Sequence, residues 1–134
     1  MKEVLAIIRP DRWIATKAAL IRLGLPAFTH KRVHGRGAAR GLQYLPRQGA
    51  EPQTAVTWLP KRMIFWVVED HQVAPLVGSL VEVNRTGQIG DGKIFVLPLG
   101  DAVRIRTGER GEAALRPQRV TGTVGTGVDH AAGR

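Results

Sequence analysis

A chain of 134 residues with 43% hydrophobic content suits one domain with a modest core. It has no cysteine, which excludes disulfides and thiolate metal sites, and no apolar run near the ~20 residues of a membrane span; with no signal-peptide pattern at its start, a cytoplasmic protein is expected. The net charge of +9 calls for anionic partners, yet aromatic residues are 5% of the chain and no recognition-helix, zinc-finger or RNA-binding signature is present. Nucleic acid is therefore a weaker expectation than a nucleotide or an acidic protein surface.

Val4-Leu5-Ala6-Ile7-Ile8 reads as a short strand stopped by Arg9-Pro10. Asp11 is a helix N-cap candidate, and Ile14, Ala18, Ile21 and Leu25 recur at helical spacing until Gly24 and Pro26 end the helix. Phe28 to His34 alternates like a strand. His30 and His34 share one face of it, but roughly 13 Å of extended chain separates them, too far to bind one metal.

From Gly35 to Pro60 no period is sustained, and a loop of that length in a small domain is usually functional. Met63 to Val68 reads as a central strand buried on both faces. Asp70 opens a second helix with the stripe Val73, Leu76, Val77, Leu80 and Val81; Pro75 predicts a late start or a kink, and Gly87 the end. Lys93 to Leu97 is a fourth strand. Val103 and Ile105 alternate with Arg104 and Arg106, so a short fifth strand would place both arginines on one face. From Pro117 the chain is Gly/Thr/Val-rich without an apolar face, and residues 117–134 read as a disordered tail after a domain spanning 1–116. The order strand, helix, strand, long loop, strand, helix, strand is the doubled β-α-β of a ferredoxin-like α+β fold, with helices on one sheet face and the other face needing a partner.

The chemistry concentrates between Asn84 and Leu115. Gly87, Gly90 and Gly92 let backbone N–H groups crowd an anion, Lys93 adds a point charge, and Arg104 and Arg106 add forked donors that match phosphate oxygens. Gly87-x-x-x-x-Gly92-Lys93 satisfies much of a P-loop pattern. However, Ile94 replaces the magnesium-binding Ser/Thr, and a helical pattern precedes the glycines where a P-loop has a strand. A different phosphate cradle is expected.

Thr86-Gly87-x-Ile89-Gly90-Asp91-Gly92-Lys93-Ile94-Phe95-Val96, with Arg104-Ile105-Arg106-Thr107-Gly108-Glu109 following, resembles the B-loop and C-loop signature of the PII nitrogen-signalling proteins. The resemblance covers residues 1 to about 115. It implies a trimer with the sheets packed inward, pure or mixed with a paralogue, and ATP or ADP bound in clefts between subunits. Gly87, Gly90, Asp91, Gly92 and Lys93 match the phosphate-binding loop of one subunit, and Arg104 and Arg106 match phosphate-binding arginines of its neighbour. Ile7, Thr29, Gly35, Gly37 and Val67 match positions lining the base and ribose. Residues 35–60 match the T-loop, opening with Gly35-Arg36-Gly37 and closing with Leu59-Pro60-Lys61.

Three short stretches, Ile14-Ala15-Thr16-Lys17-x-Ala19-Leu20, Gly24-x-Pro26-x-Phe28-Thr29 and Pro60-Lys61-Arg62-Met63, are similar to the nitrogen-fixation-associated NifI-type branch, whose implied target is nitrogenase. Two departures bear on 2-oxoglutarate. Ala38 and Ala39 stand where other members have Arg-Gln, the glutamine helping to hold Mg2+ with oxoglutarate, and a methyl group offers no ligand to a hard cation. Lys61, matching the lysine that contacts oxoglutarate, is retained. Pro52 occupies the place of the tyrosine that some members have uridylylated. The expected function is a non-enzymatic regulator acting through its T-loop; a basic nucleic-acid binder or a weak ATP hydrolase using Asp91 or Glu109 are the alternatives.

Overall fold

The computed structural model describes residues 1–37 and 58–118. The positions of Ala38, Ala39 and most of the expected T-loop, and of the tail from 119, lie outside the described residues. The elements are β1 (Lys2–Ile8), α1 (Trp13–Leu23), β2 (Thr29–Gly35), β3 (Leu59–Val68), α2 (Asp70–Asn84) and β4 (Gly92–Pro98). The strands form one antiparallel sheet ordered β2-β3-β1-β4, the ferredoxin-like βαββαβ arrangement expected. Both ends of the long loop are drawn into the sheet, since Gly35 pairs with Leu59.

Both helices lie on one face. Val4, Ala6 and Ile8 of β1 and Ile64, Trp66 and Val68 of β3 point at them, against Trp13, Leu20, Leu76 and Leu80. Each fully buried large side chain is worth ~1.5–3 kcal/mol, so this layer carries the stability of the unit. Thr16 and Asn84 are a buried polar tie between the helices: the Asn84 amide donates to Thr16 Oγ1 at 3.2 Å and to the Leu80 carbonyl at 3.0 Å. It fixes the end of α2 from which the glycine loop departs.

Four expectations need correction. The face of α1 that packs inward is Trp13, Thr16, Ala19 and Leu20; Ile14 and Ile21, placed in the stripe by their spacing, are 76% and 66% exposed. Two interleaved helical periods were available, and the one containing the large indole buries more area. The first helix is preceded by a 3-10 turn over Pro10–Arg12, and no side chain caps it. In α2 the cap is Glu69, in a capping box with Gln72, one residue before the expected Asp70; the helix runs through Pro75 and is capped at Arg85, with Gly87 beyond it. β3 is buried on the helix side only, while Met63, Phe65 and Val67 on the opposite face are half-buried.

The expected fifth strand is absent among the described residues. One bridge joins Val103 to Arg110, around a turn in which the Gly108 N–H donates to the Arg104 carbonyl at 2.7 Å and Gly108 has φ +77°. Arg104 and Arg106 therefore do not share a strand face.

Candidate functional site

The glycine loop joins α2 to β4 and turns on three residues with positive φ, Gly87 (84°), Gly90 (99°) and Gly92 (105°). Gly92 is the most constrained: a Cβ there would lie 1.8 Å from the Ile7 carbonyl oxygen, inside covalent-contact range of the β1 backbone. Only glycine lets β4 start against Ile8 at this register.

Asp91 is the staple of the loop. Its carboxylate accepts bonds from the Thr86 N–H (2.8 Å), the Gly87 N–H (3.0 Å), the Thr86 hydroxyl and Arg9 Nε (3.2 Å). The Thr86 hydroxyl bond, then the Thr86 N–H, hold the carboxyl well below the usual carboxylate range. Asp91, placed among the nucleotide-binding residues by the motif, is thus turned into its own loop. It offers no free oxygen to a metal, and no cluster of three or more His, Cys, Asp or Glu exists among the described residues.

Arg9 and Lys61 complete the frame. Arg9 Nη2 donates to the Ile89 carbonyl at 2.8 Å, and Lys61 Nζ to the Gly90 carbonyl at 2.6 Å. Burial, then the neighbouring Arg9 charge, lowers the Lys61 pKa. In a trans peptide the N–H points opposite to the carbonyl, and there is no cis bond among the described residues. With the Ile89 and Gly90 carbonyls turned back to the cations, the Gly90 and Asp91 N–H groups face the other way, as two adjacent donors for an anion. Lys93 stands next to them on the open sheet face, opposite Ile7. Arg9 was missed by sequence reasoning, which treated Arg9-Pro10 as the stop of a strand; the available signal was its position one residue beyond Ile8, the residue paired with Gly92.

The arginine segment is built differently. Arg104 is held by its own chain: Nη1 donates to the Glu109 carboxylate and Nη2 to the carbonyls of Ala114 (3.2 Å) and Arg116. Arg116 in turn donates to Glu69 at 2.7 Å, docking this segment on the cap of α2. Arg106 is exposed and donates to Gln118.

The candidate residues fall at two ends of the sheet. Ile7, Gly35, Lys61 and the Gly87–Lys93 loop sit at one end, where Ile8 pairs with Gly92 and Gly35 with Leu59; Gly37 lies two residues beyond. Val67 pairs with Glu3 and Thr29 with Phe65 near the other end, where Lys2 meets Pro98 and the arginine segment begins. Seven residues of β4 separate the two ends, roughly 20 Å. One chain does not bring Lys93 together with Arg104 and Arg106.

A four-stranded antiparallel sheet with two helices on one face and a glycine loop at its edge defines the class of ferredoxin-like α+β domains. Within that class, the family described as nitrogen regulatory protein P-II matches residues 1–109, and the chain belongs to this family. It is 47% identical over 121 residues to the nitrogen fixation nifHD region GlnB-like protein 2 of Methanothermobacter marburgensis, covering 86% of this chain and 100% of that protein. It is 43% identical over 115 residues to the nitrogen regulatory protein P-II of Microchaete diplosiphon, covering 86% of this chain and 100% of that one. The crystal structure of Arabidopsis thaliana PII bound to citrate superposes with a TM-score of 0.68 at 35% identity, over 87% of this chain and 91% of that one. The nifHD-region relatives support the NifI-type branch indicated by the short stretches.

Proposed function

We propose that this chain is a non-enzymatic nitrogen-status signal transducer that binds ATP or ADP in clefts between subunits of a trimer and acts on a target through the T-loop expected over residues 35–60. The observation that carries this reading is the division of the phosphate-binding groups between opposite ends of one sheet. A cleft that uses Lys93 from one chain and Arg104 and Arg106 from the next is complete; neither half is complete alone. The open sheet face supplies the reason to assemble. Phe95 and Leu97 on the edge strand, paired with Leu5 and Glu3, are 46% and 41% exposed, and Leu5, Met63 and Phe65 continue that surface half-buried. The two carboxylates near the phosphate groups are engaged, Asp91 within its loop and Glu109 with Arg104, which favours binding over hydrolysis. The nifHD-region names of the relatives point to nitrogenase as the regulated protein. Homotrimers and mixed trimers with a paralogue both fit the reading.

Calorimetry with ATP should give a micromolar dissociation constant, about −8 kcal/mol, on a protein whose light-scattering mass is three times 14.6 kDa. A monomer at all concentrations would refute the shared cleft.

2-Oxoglutarate should bind weakly to the isolated protein even with saturating Mg-ATP. Lys61, the residue retained for it, already donates to the Gly90 carbonyl and would have to give up that bond to meet a carboxylate. Titration showing a low-micromolar constant would contradict this, and Ala39→Gln should tighten oxoglutarate more than ATP.

A further inference from the structure

On the helix-covered side of the sheet, opposite the open face, two features work against folding. The first is the outer face of α1, where Ile14, Ala18 and Ile21 stand one turn apart, the isoleucines 76% and 66% exposed. A β-branched residue on a solvent-facing helix position has lower helix propensity than alanine and gains nothing from burial. The second is at the sheet edge beside α1. Arg32 lies directly opposite Arg62 in the β2–β3 pairing, a like-charge cross-strand pair, which is destabilising. Arg62 and Lys17 both sit over the Trp13 ring, at 5.0 and 5.2 Å from its centre. Among the described residues every ion pair draws on Met1, Lys2, Arg9, Arg104, Arg110 or Arg116 for its cation. Lys17, Arg32 and Arg62 are in none.

The two features are continuous. Lys17 is three residues from Ile14, four from Ile21 and four from Trp13, so it joins the apolar stripe to the cationic edge. We infer that this face is a docking surface for an acidic, apolar-striped protein segment, separate from the loop at 38–57. Charge complementarity selects the occupant. Carboxylates would relieve the Arg32–Arg62 repulsion, while an apolar stripe would cover Ile14 and Ile21. Duplex nucleic acid would answer the cations and leave the isoleucines in water. Trp13, 9% exposed and covered by Lys17 and Arg62, offers no stacking platform for single strands.

The test uses the full-length protein and three probes: a synthetic helical peptide of about 18 residues, five turns, with leucines along one face and glutamates flanking them; its twin with lysine for every glutamate; and a duplex DNA. Amide chemical shifts are followed by NMR. The acidic peptide should move resonances over 14–21 and 30–32. Its affinity should fall at least about ten-fold in Ile14→Ser/Ile21→Ser and again in Lys17→Glu/Arg32→Glu; Ile14, Ile21 and Arg32 are exposed and Lys17 is half-buried over the Trp13 ring, and an unchanged dispersion of the core amide resonances verifies that folding is intact. The lysine twin should not bind. The inference is overturned if the acidic peptide does not bind, if its twin binds as well, or if affinity survives both double substitutions. DNA binding that ignores the isoleucine substitutions, with no peptide binding, would identify a nucleic-acid surface instead.

Discussion

Gly92→Ala is expected to lower stability by about 3 kcal/mol or more and to abolish nucleotide binding. The added methyl would have to occupy space 1.8 Å from the Ile7 carbonyl oxygen at a φ of +105°. Neither group can yield cheaply: the Ile7 carbonyl belongs to the central strand, and Gly92 is the first residue of β4. The chain must unpair the start of β4, which also displaces Lys93. Gly87→Ala provides the control. It has a comparable φ of +84° but open space around the would-be methyl, so it should cost only the left-handed penalty of ~1–2 kcal/mol. Urea unfolding at matched protein concentration, with ATP calorimetry on both variants, separates the two; equal losses would show that steric contact with β1 is not what fixes this glycine.

The second large effect concerns the arginines. Removal of one charge-assisted hydrogen bond costs ~1.5–3 kcal/mol, so Arg104→Ala and Arg106→Ala should each weaken ATP about ten-fold or more. They should differ in stability. Arg104 also ties Glu109 and the carbonyls of Ala114 and Arg116, so its loss frees the segment docked on the α2 cap and lowers the melting temperature. Arg106 is exposed with one described partner, Gln118, and its variant should melt like the parent. Unchanged ATP affinity in a folded Arg106→Ala variant would remove it from the site.

The fold was legible because β1, β3 and α2 have apolar patterns that admit one reading each: Val4-Ala6-Ile8, Ile64-Trp66-Val68, and the stripe through Leu76 and Leu80. The first helix was legible as a helix but not in its facing, because Ile14-Ala18-Ile21 and Trp13-Thr16-Leu20 are both helical stripes and burial chose between them. The failed fifth strand shows the same limit from the other side. Alternation of Val103 and Ile105 with two arginines carries strand period, but Gly108 permits a tight return that closes after one bridge, leaving Ile105 99% exposed. Of the site, the loop glycines and Lys93 were visible as a motif. The work done by Arg9 and Lys61 was not, because it depends on contacts 29 to 82 residues apart in sequence; the turning of Asp91 onto Thr86 and Gly87, five and four residues back, depends on the path of the glycine loop.

Those contacts bear on signalling. Lys61 lies near the start of β3 (Leu59–Val68), and its amine holds the Gly90 carbonyl. A shift of the Gly90 carbonyl therefore acts on the start of β3 through one hydrogen bond. A nucleotide moves such an equilibrium only by binding its two states unequally, so the proposed reading requires ATP and ADP to differ in how they engage the Gly90 and Asp91 N–H groups.

The shared cleft is tested most directly by subunit complementation. Lys93→Ala and Arg104→Ala trimers should each bind ATP poorly. When the two are mixed, subunits exchanged and mixed trimers verified by native mass spectrometry, each mixed trimer should regain one cleft with an intact lysine from one chain and an intact arginine from its neighbour. Calorimetry should then recover micromolar sites at a fraction of the parental stoichiometry. Mixed trimers that recover no tight site, or variant trimers that bind as the parent does, would contradict a site divided between chains.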